Sequence, residues 1–276
     1  MACGSILTLP DYQPSNNGHH PPSQRPFEEE PPDSRPPDRE PLPSALNHRI
    51  VAILEVLICS DYPTQLALGA TFGAFGYGPF IADGALRVSY VVGISLADSA
   101  LLIGLVLLFL YAHGERPRDV IIGHRPVVGE IVYGIPLILA AIAIAIVVLV
   151  TIQRAAPSLH TVEKNPLQSL LTSPRDAWLF ALVVLVAGGV REEIQRAFLL
   201  HRFEQWLGGG RVGVIVTSVA FGAGHLLQGV DAAIATGLLG SFWGVVYLRR
   251  RSAVAPIISH SGFDLIQIVQ FFFVRS

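Results

Sequence analysis

The chain is poor in charged residues for its length. Only 14% of its 276 residues are Asp, Glu, Lys or Arg, whereas 51% are hydrophobic. Soluble domains usually carry about a quarter charged residues. The formal net charge of −2, with no basic patch interleaved with aromatic residues, gives no indication of nucleic-acid binding. The composition therefore indicates a membrane protein.

Cysteine is also scarce. Cys3 lies in an N-terminal tail and Cys59 in an apolar run, so the sequence predicts neither a disulfide framework nor a thiolate metal site. Residues 1–46 contain few apolar side chains and many prolines, as in "HHPPSQRPFEEEPPDSRPPDREPLP". This composition is typical of a disordered, partly polyproline-like tail, which we expect to be a separate region.

From Arg49 onward, apolar segments follow one another. About 20 apolar residues are needed for a helix to cross the hydrocarbon core, and lipid leaves no partner for unpaired backbone groups. We therefore predict an all-α, polytopic membrane helix bundle over residues 47–276. Its seven or so spans lie near 49–73, 86–112, 127–152, 177–206, 212–229, 230–248 and 253–274. The distribution of Arg and Lys among the loops predicts a cytoplasmic N-terminus.

The stretch "REEIQRAFLLHRF" places charges next to an apolar run. A carboxylate at membrane depth costs about 2.5–3.5 kcal/mol on insertion scales, and the adjacent Glu192 and Glu193 repel each other. Arg196 lies one helical turn further and can compensate them. Alternatively, the span ends near Val190, and an amphipathic interfacial helix exposes Arg191, Glu192 and Arg196 to water.

Two further apolar stretches contain ionisable residues. "SVAFGAGHLLQG" places His225 four residues after Phe221, and "APIISHSGFDLIQIVQFFF" places His260 and Asp264 on one helical face. Intramembrane ionisable residues usually face the bundle interior and pair with one another. We therefore predict one polar cavity that contains Glu192, Glu193, His225, His260 and Asp264.

This set of residues suits the activation of water. A glutamate in a dry pocket can act as a general base. Histidine can orient the water, bind a metal or donate to a developing oxyanion. No serine or cysteine lies in an obvious nucleophile motif. The predicted reaction is hydrolysis, most simply of an amide, within the bilayer.

The three clusters resemble the signature of the CAAX prenyl protease and bacteriocin-processing (CPBP, Abi) family of intramembrane proteases. The matching motifs are "EEIQR" at 192–196, "FGAGH" at 221–225 and "HSGFD" at 260–264, and the resemblance covers about residues 176–275. It implies that Glu192 and His225 activate the attacking water. It also implies that His260 and Asp264 stabilise the tetrahedral intermediate, while Glu193 and Arg196 form a supporting pair.

The resemblance leaves the metal open, since both a metalloprotease and a metal-free glutamate mechanism are argued for this family. Glu192, His225 and His260 are the candidate ligands for zinc or another divalent metal. Two positions depart from the family pattern: Arg196 follows Glu193 by three residues instead of four, and Asp264 replaces the commoner Asn. The implied partners are the bilayer of a bacterial cell and a peptide or protein substrate, prenylated in some relatives.

A non-catalytic membrane protein is the alternative, either a transporter, a scaffold or a degenerate family member. Buried acids can form proton or cation pathways, and the N-terminal segments contain Glu55, Asp61, Asp98 and Glu130. A protease predicts that the ionisable groups cluster in one C-terminal pocket. A transporter predicts that they extend through the bundle.

Overall fold

The computed structural model describes residues 45–81, 84, 86–162 and 173–274 of the chain. Within these ranges the secondary structure is helical, with one isolated bridge between Phe80 and Leu86 and no strand. The predicted all-α class is confirmed. Of the predicted tail, residues 1–44, including Cys3, lie outside the described residues, while Ala45 and Leu46 begin the first helix.

The helices of the described part follow the apolar segments of the sequence. In chain order they are α1 (Ala45–Ile58), α2 (Tyr62–Ala74), α3 (Val88–Ala112), α4 (Pro117–Ile121), α5 (Val127–Ala155), α6 (Pro174–Val183), a π-helical segment (Val184–Arg191), α7 (Glu192–Trp206), α8 (Gly210–Gly224), α9 (Val230–Arg250) and α10 (Val254–Val274). Short 3₁₀ turns occur at Pro157–Leu159 and Leu226–Gln228.

The apolar helices make the chain an integral membrane protein. Among the described residues, α3, α5 and α9 are each long and apolar enough to cross a membrane. The pair α1 and α2, bent by 47° at the break between them, could form a fourth span. The other predicted segments are helical too, but they are shorter or carry more charge, so the number of seven spans stays a prediction.

Helix α6, the π segment and α7 run without a break from Pro174 to Trp206. A capping box begins this run: Ser173 Oγ accepts from the backbone N–H of Asp176, whose carboxylate accepts from the backbone N–H of Ser173. The π segment has wider turns than an α-helix and ends at Arg191, immediately before the glutamate pair. Such turns are frequent at functional sites.

Buried ion pairs connect the N-terminal helices to the C-terminal ones. Glu55 of α1 accepts from Arg202 Nε of α7 at 2.5 Å, and Glu130 of α5 accepts from Arg250 Nη2 of α9 at 2.5 Å. The side chains of both glutamates are at most 5% exposed. These pairs neutralise acids that would otherwise be costly to bury, and they hold the helices around the region where the predicted site residues meet.

Candidate active site

The second of the two glutamates that begin α7 is the buried centre of the site. Glu193 is 1% exposed. It accepts a hydrogen bond from Arg196 on the next turn and one at 2.8 Å from Nδ1 of His260 on α10. A buried carboxylate needs a charge partner and hydrogen bonds, and these two residues supply both. The three-residue spacing between Glu193 and Arg196 therefore still allows the pair to form.

His260 is fixed by two contacts. Because the carboxylate of Glu193 can only accept, its hydrogen bond assigns a proton to Nδ1 of His260. Trp243 of α9 stacks on the imidazole, with 3.8 Å between ring centroids and 17° between planes. The indole Nε1 in turn donates to Ser259 Oγ at 3.1 Å. This arrangement directs Nε2 of His260 toward Glu192 and Asp264.

Glu192 differs from its neighbour because its oxygens are not consumed by close contacts. Its Oε1 lies 3.7 Å from Nη2 of Arg191, and its Oε2 lies 3.8 Å from Nε2 of His260. Both distances exceed that of a hydrogen bond. Asp264 Oδ2 approaches the same His260 nitrogen at 3.6 Å. The carboxylate of Glu192 is thus bracketed by two basic groups and can still bind water.

His225 reaches the site from α8. It caps the C-terminus of that helix, and its Nδ1 donates to the carbonyl oxygen of Phe221 at 2.8 Å. The ring of Phe221 packs edge-on against His225 at 4.8 Å and against His260 at 6.2 Å. The guanidinium of Arg196 lies 4.8 Å above the same ring. Phe221 therefore connects the two histidines and the supporting arginine.

Glu192 and His225 share the wall of one cavity of about 510 Å³. Polar side chains, among them Asp61, Arg191 and Gln195, line it together with apolar side chains of the α1, α7 and α8 helices. His260 is only 4% exposed and is packed beneath the cavity wall. A substrate in the cavity therefore meets Glu192 and His225 first.

Two glycines of the π segment allow α10 to approach. A Cβ atom at Gly189 would collide with the side chain of Ser261, and one at Gly188 would meet the carboxylate of Asp264. Any larger residue at either position would push α10 away from the helix that carries the glutamates. The close approach of His260 and Asp264 to Glu192 thus depends on these glycines.

The structure brings the predicted site residues together. Glu192, Glu193 and Asp264 each have a carboxylate oxygen within 4 Å of a ring nitrogen of His260, and His225 lines the same cavity as Glu192. The alternative with Arg191 and Arg196 exposed to water is not what the structure shows, since these residues are 6% and 5% exposed. The helix continues into the interior instead of ending near Val190.

The candidate metal ligands are Glu192, His225 and His260. In the described part of the chain, no three side chains of His, Cys, Asp or Glu are grouped so that they could hold a metal ion. Nδ1 of His260 and Nδ1 of His225 are both engaged in hydrogen bonds with protein oxygens. Their Nε2 atoms remain as the nitrogens that a metal could bind, so the predicted ligand set of Glu192, His225 and His260 stays a prediction.

Sequence reasoning missed part of the site. Trp243 lies in an apolar segment without a motif, and nothing in the sequence indicates its stack on His260. The sequence places Asp61 and Asp98 in apolar segments, but their spacing alone suggests only that they belong with Glu55 and Glu130 to a candidate transport pathway. The structure separates them: Asp61 and Asp98 lie beside Arg191 near Glu192, whereas the two glutamates pair elsewhere.

Part of the chain is similar to a known protein family. Residues 174–266 match the model of a family described as Type II CAAX prenyl endopeptidase Rce1-like. No curated protein and no solved structure matches the chain. The matched residues include all three motifs and confirm the predicted resemblance to the CAAX protease family. Helices α1 to α5 lie outside the matched residues.

Proposed function

We propose that this protein is an intramembrane endopeptidase that hydrolyses a peptide bond with a water activated by Glu192 and His225. The observation that carries the proposal is the pairing of two glutamates with different surroundings. Glu193 is saturated by Arg196 and His260, whereas the neighbouring Glu192 faces a cavity with His225 and keeps oxygens available. Such a division is what a general base and its support require.

The chemical steps follow from these positions. A water bound between Glu192 and Nε2 of His225 loses a proton to Glu192 as its oxygen attacks the scissile carbonyl carbon. The tetrahedral oxyanion needs a hydrogen-bond donor, and removing such a donor typically slows a reaction about 10²–10³-fold. When the C–N bond breaks, Glu192 returns the proton to the leaving amine, so protons balance over the cycle.

His260 and Asp264 have a different position from the one that the resemblance implies. His260 lies beneath the cavity wall, where Glu193 and Trp243 hold it against Glu192. It reaches an oxyanion only if the substrate extends past Glu192. In the proposed mechanism, His260 supports the charge on Glu192 during attack, and Asp264 holds Nε2 of His260 on that side.

The substrate is proposed to be a peptide with an apolar group beside the scissile bond. Val56, Leu199 and Val216 line the cavity together with the polar side chains of Asp61, Arg191 and Gln195. A prenylated C-terminal peptide has this character, and so does a membrane-inserted segment. The cytoplasmic position of the N-terminus and a location in a bacterial cell membrane are further parts of this proposal.

The experiment compares the peptides released from membranes of cells that express the wild type, Glu192→Gln or Glu204→Gln. Glu204 is a matched control because it lies on the same helix but pairs with Arg251 at the surface. Insertion and abundance are verified for all three proteins by membrane extraction and immunoblotting. We expect a set of peptides that is present with the wild type and Glu204→Gln and absent with Glu192→Gln.

Identical peptide sets for the wild type and Glu192→Gln, under several growth conditions and with equal insertion, would contradict the proposal. They would favour the non-catalytic alternative, in which His225 and Glu192 bind a partner or a proton. The enzyme is supported because Glu55 and Glu130 are each neutralised by an arginine, while Asp61 and Asp98 lie beside Arg191 at the site itself.

A further inference from the structure

Arg191 has three acidic side chains within 4 Å of its guanidinium. It is the last residue of the π segment and is 6% exposed. Its Nη1 lies 3.1 Å from Asp61 Oδ2, its Nε lies 3.9 Å from Asp98 Oδ2, and its Nη2 lies 3.7 Å from Glu192 Oε1. Three carboxylates from three parts of the chain therefore converge on one guanidinium.

Asp98 is buried without a hydrogen-bond partner in the described part of the chain. It lies within α3 and is 2% exposed. A charge inside a span costs about 2.5–3.5 kcal/mol on insertion scales. Arg191 faces it at a distance too long for a hydrogen bond. Any effect of Asp98 on Arg191 must therefore be electrostatic.

Asp61 is held in a strained conformation beside the same arginine. It occupies the break between α1 and α2 with a φ of 80°, a region that costs a residue other than glycine on the order of 1–3 kcal/mol and is enriched at functional sites. Its Oδ2 accepts from Gln65 Nε2 at 2.8 Å and pairs with Nη1 of Arg191. Two contacts thus fix the position of this carboxylate.

Gln195 completes the enclosure of the guanidinium. Nη1 of Arg191 donates to Gln195 Oε1 at 3.1 Å, and Nε2 of Gln195 donates to the carbonyl oxygen of Cys59 at 2.8 Å. Asp61 and Gln195 both contact Nη1, whereas Nε has no hydrogen-bond partner in the described part of the chain and faces Asp98 at 3.9 Å. Nη2 is the nitrogen that remains to face Glu192.

We propose that Arg191 is a positioning residue for Glu192 and that Asp98 and Asp61 orient it. Arg191 holds Oε1 of Glu192 on one side, while His260 faces Oε2 on the other. This inference rests on the proposed function, because it assigns Glu192 the role of base. It also means that α3 and the α1–α2 break, which lie outside the family-matched residues, complete the catalytic centre.

Kinetics of the purified full-length protein in lipid vesicles test the proposal. The probe is a quenched fluorescent peptide that spans a cleavage site identified in the membrane-peptide comparison above. Arg191→Gln should lower kcat about 10–100-fold, as substitutions of orienting partners do, with KM within about twofold. Arg191→Lys, which keeps the charge, should recover most of this loss. Arg211→Gln is the matched control, since Arg211 is exposed at the start of α8, and it should behave like the wild type.

The effect of Asp98→Asn on kcat distinguishes a positioning role of Arg191 from a merely structural one. Asp98→Asn should lower kcat less than Arg191→Gln does. Because Asp98 acts through Arg191, the double variant should be no slower than Arg191→Gln alone. Unchanged kcat in Arg191→Gln, or a double variant whose loss is the product of the two single losses, would overturn the proposal.

A second measurement tests the interaction between Arg191 and Asp98 and does not depend on enzymatic activity. Thermal unfolding in detergent gives Tm for the wild type, Arg191→Gln, Asp98→Asn and the double variant. We expect the double variant to lose less Tm than the sum of the single losses, because Arg191→Gln leaves the buried Asp98 without a cation and Asp98→Asn removes that acid. Additive losses would refute the link. If Glu192→Gln leaves peptide release unchanged, the proposed function fails, and this cycle still tests the pairing.

Discussion

Two buried clusters in this molecule have the same composition and different surroundings. The Glu193 cluster consists of Glu193, Arg196 and His260. The Glu55 cluster consists of Glu55, Arg202 and His113, with Nε2 of His113 at 2.6 Å from Glu55. Each joins a glutamate that is at most 4% exposed to an arginine and a histidine from other turns or helices. Residue types alone therefore do not separate a candidate active site from a structural one.

The neighbours of the two clusters make the difference. Beside the Glu55 cluster, Glu115 accepts hydrogen bonds from Arg202, His201 and Gln205 at 2.6–2.9 Å, so the second acid is as saturated as the first. Beside the Glu193 cluster, Glu192 has only distant basic neighbours and borders a cavity. The comparison teaches that an unsaturated acid next to a cavity, and not the buried trio, indicates chemistry.

The largest expected difference between the two clusters is that one substitution lowers activity and the other lowers stability. Glu192→Gln should lower peptide release about 10²–10⁴-fold, the usual contribution of a general base, and should leave Tm nearly unchanged. Glu55→Gln should lower Tm clearly, because Arg202 keeps a buried charge with a weaker partner, while peptide release per folded molecule stays within about twofold. Peptide mass spectrometry and thermal unfolding measure both quantities, and parallel losses in both variants would show that the distinction is false.

Removing the arginine of the structural cluster should have the next largest effect. Arg202→Met leaves Glu55 and Glu115 without their common cation, and breaking a buried pair typically costs about 3–5 kcal/mol. Thermal unfolding in detergent should show a large fall in Tm, with Arg211→Met as the control at an exposed position. A Tm close to that of the wild type would mean that the Glu55 cluster does not hold α1 against α7.

The packing at the π segment gives a third prediction. Gly189→Ala places a methyl group where the Ser261 side chain lies, so α10 must move and carry His260 away from Glu192. Peptide release should fall at least about tenfold, since displacements of about 1 Å can cost a factor of 10². Gly104→Ala is the matched control, because a Cβ at that helical position meets open space. Equal activity of both variants would argue against a close approach of α10.

The smallest effect concerns pH and the saturated acid Glu115, which follows α3 outside the predicted spans. Partial burial raises the pKa of Glu115, but hydrogen bonds from Gln205, Arg202 and His201 outweigh it and hold the pKa below its ordinary value. The folded state therefore gains stability above the unfolded value of about 4.3 and loses it as the pH falls further. Below about pH 5, Tm of the wild type should fall more steeply than Tm of Glu115→Gln. Parallel curves would show that Glu115 is not stabilised by these contacts.

The sequence predicted the parts of the site that follow helical spacing. His260 and Asp264 share a face because they are four residues apart, and Arg196 reaches Glu193 because it is one turn away. The all-α class follows from the apolar segments, because an open sheet would leave backbone N–H and C=O groups without hydrogen-bond partners in lipid. These features depend on local geometry, and local geometry can be read from residue spacing.

Features that depend on which helices meet could not be predicted in this way. Asp98 looked equivalent to Glu55 because each is a single acid in an apolar segment, and only the packing of α3 against the π segment brings it to Arg191. Trp243 lacked a signal for the same reason, since its stack on His260 joins α9 to α10. The π segment itself was missed because helical periodicity does not distinguish its wider turns over eight residues.

That segment also sets the rotational phase between α6 and α7. Each residue in an α-helix turns the chain by about 100°, so the number of residues between Val184 and Arg191 decides which way the glutamate pair points. Deleting one residue there would leave α6 in place and swing Glu192 and Glu193 by about a quarter turn, away from α10. The length of this segment is therefore as strict a requirement of the site as the identity of its acids.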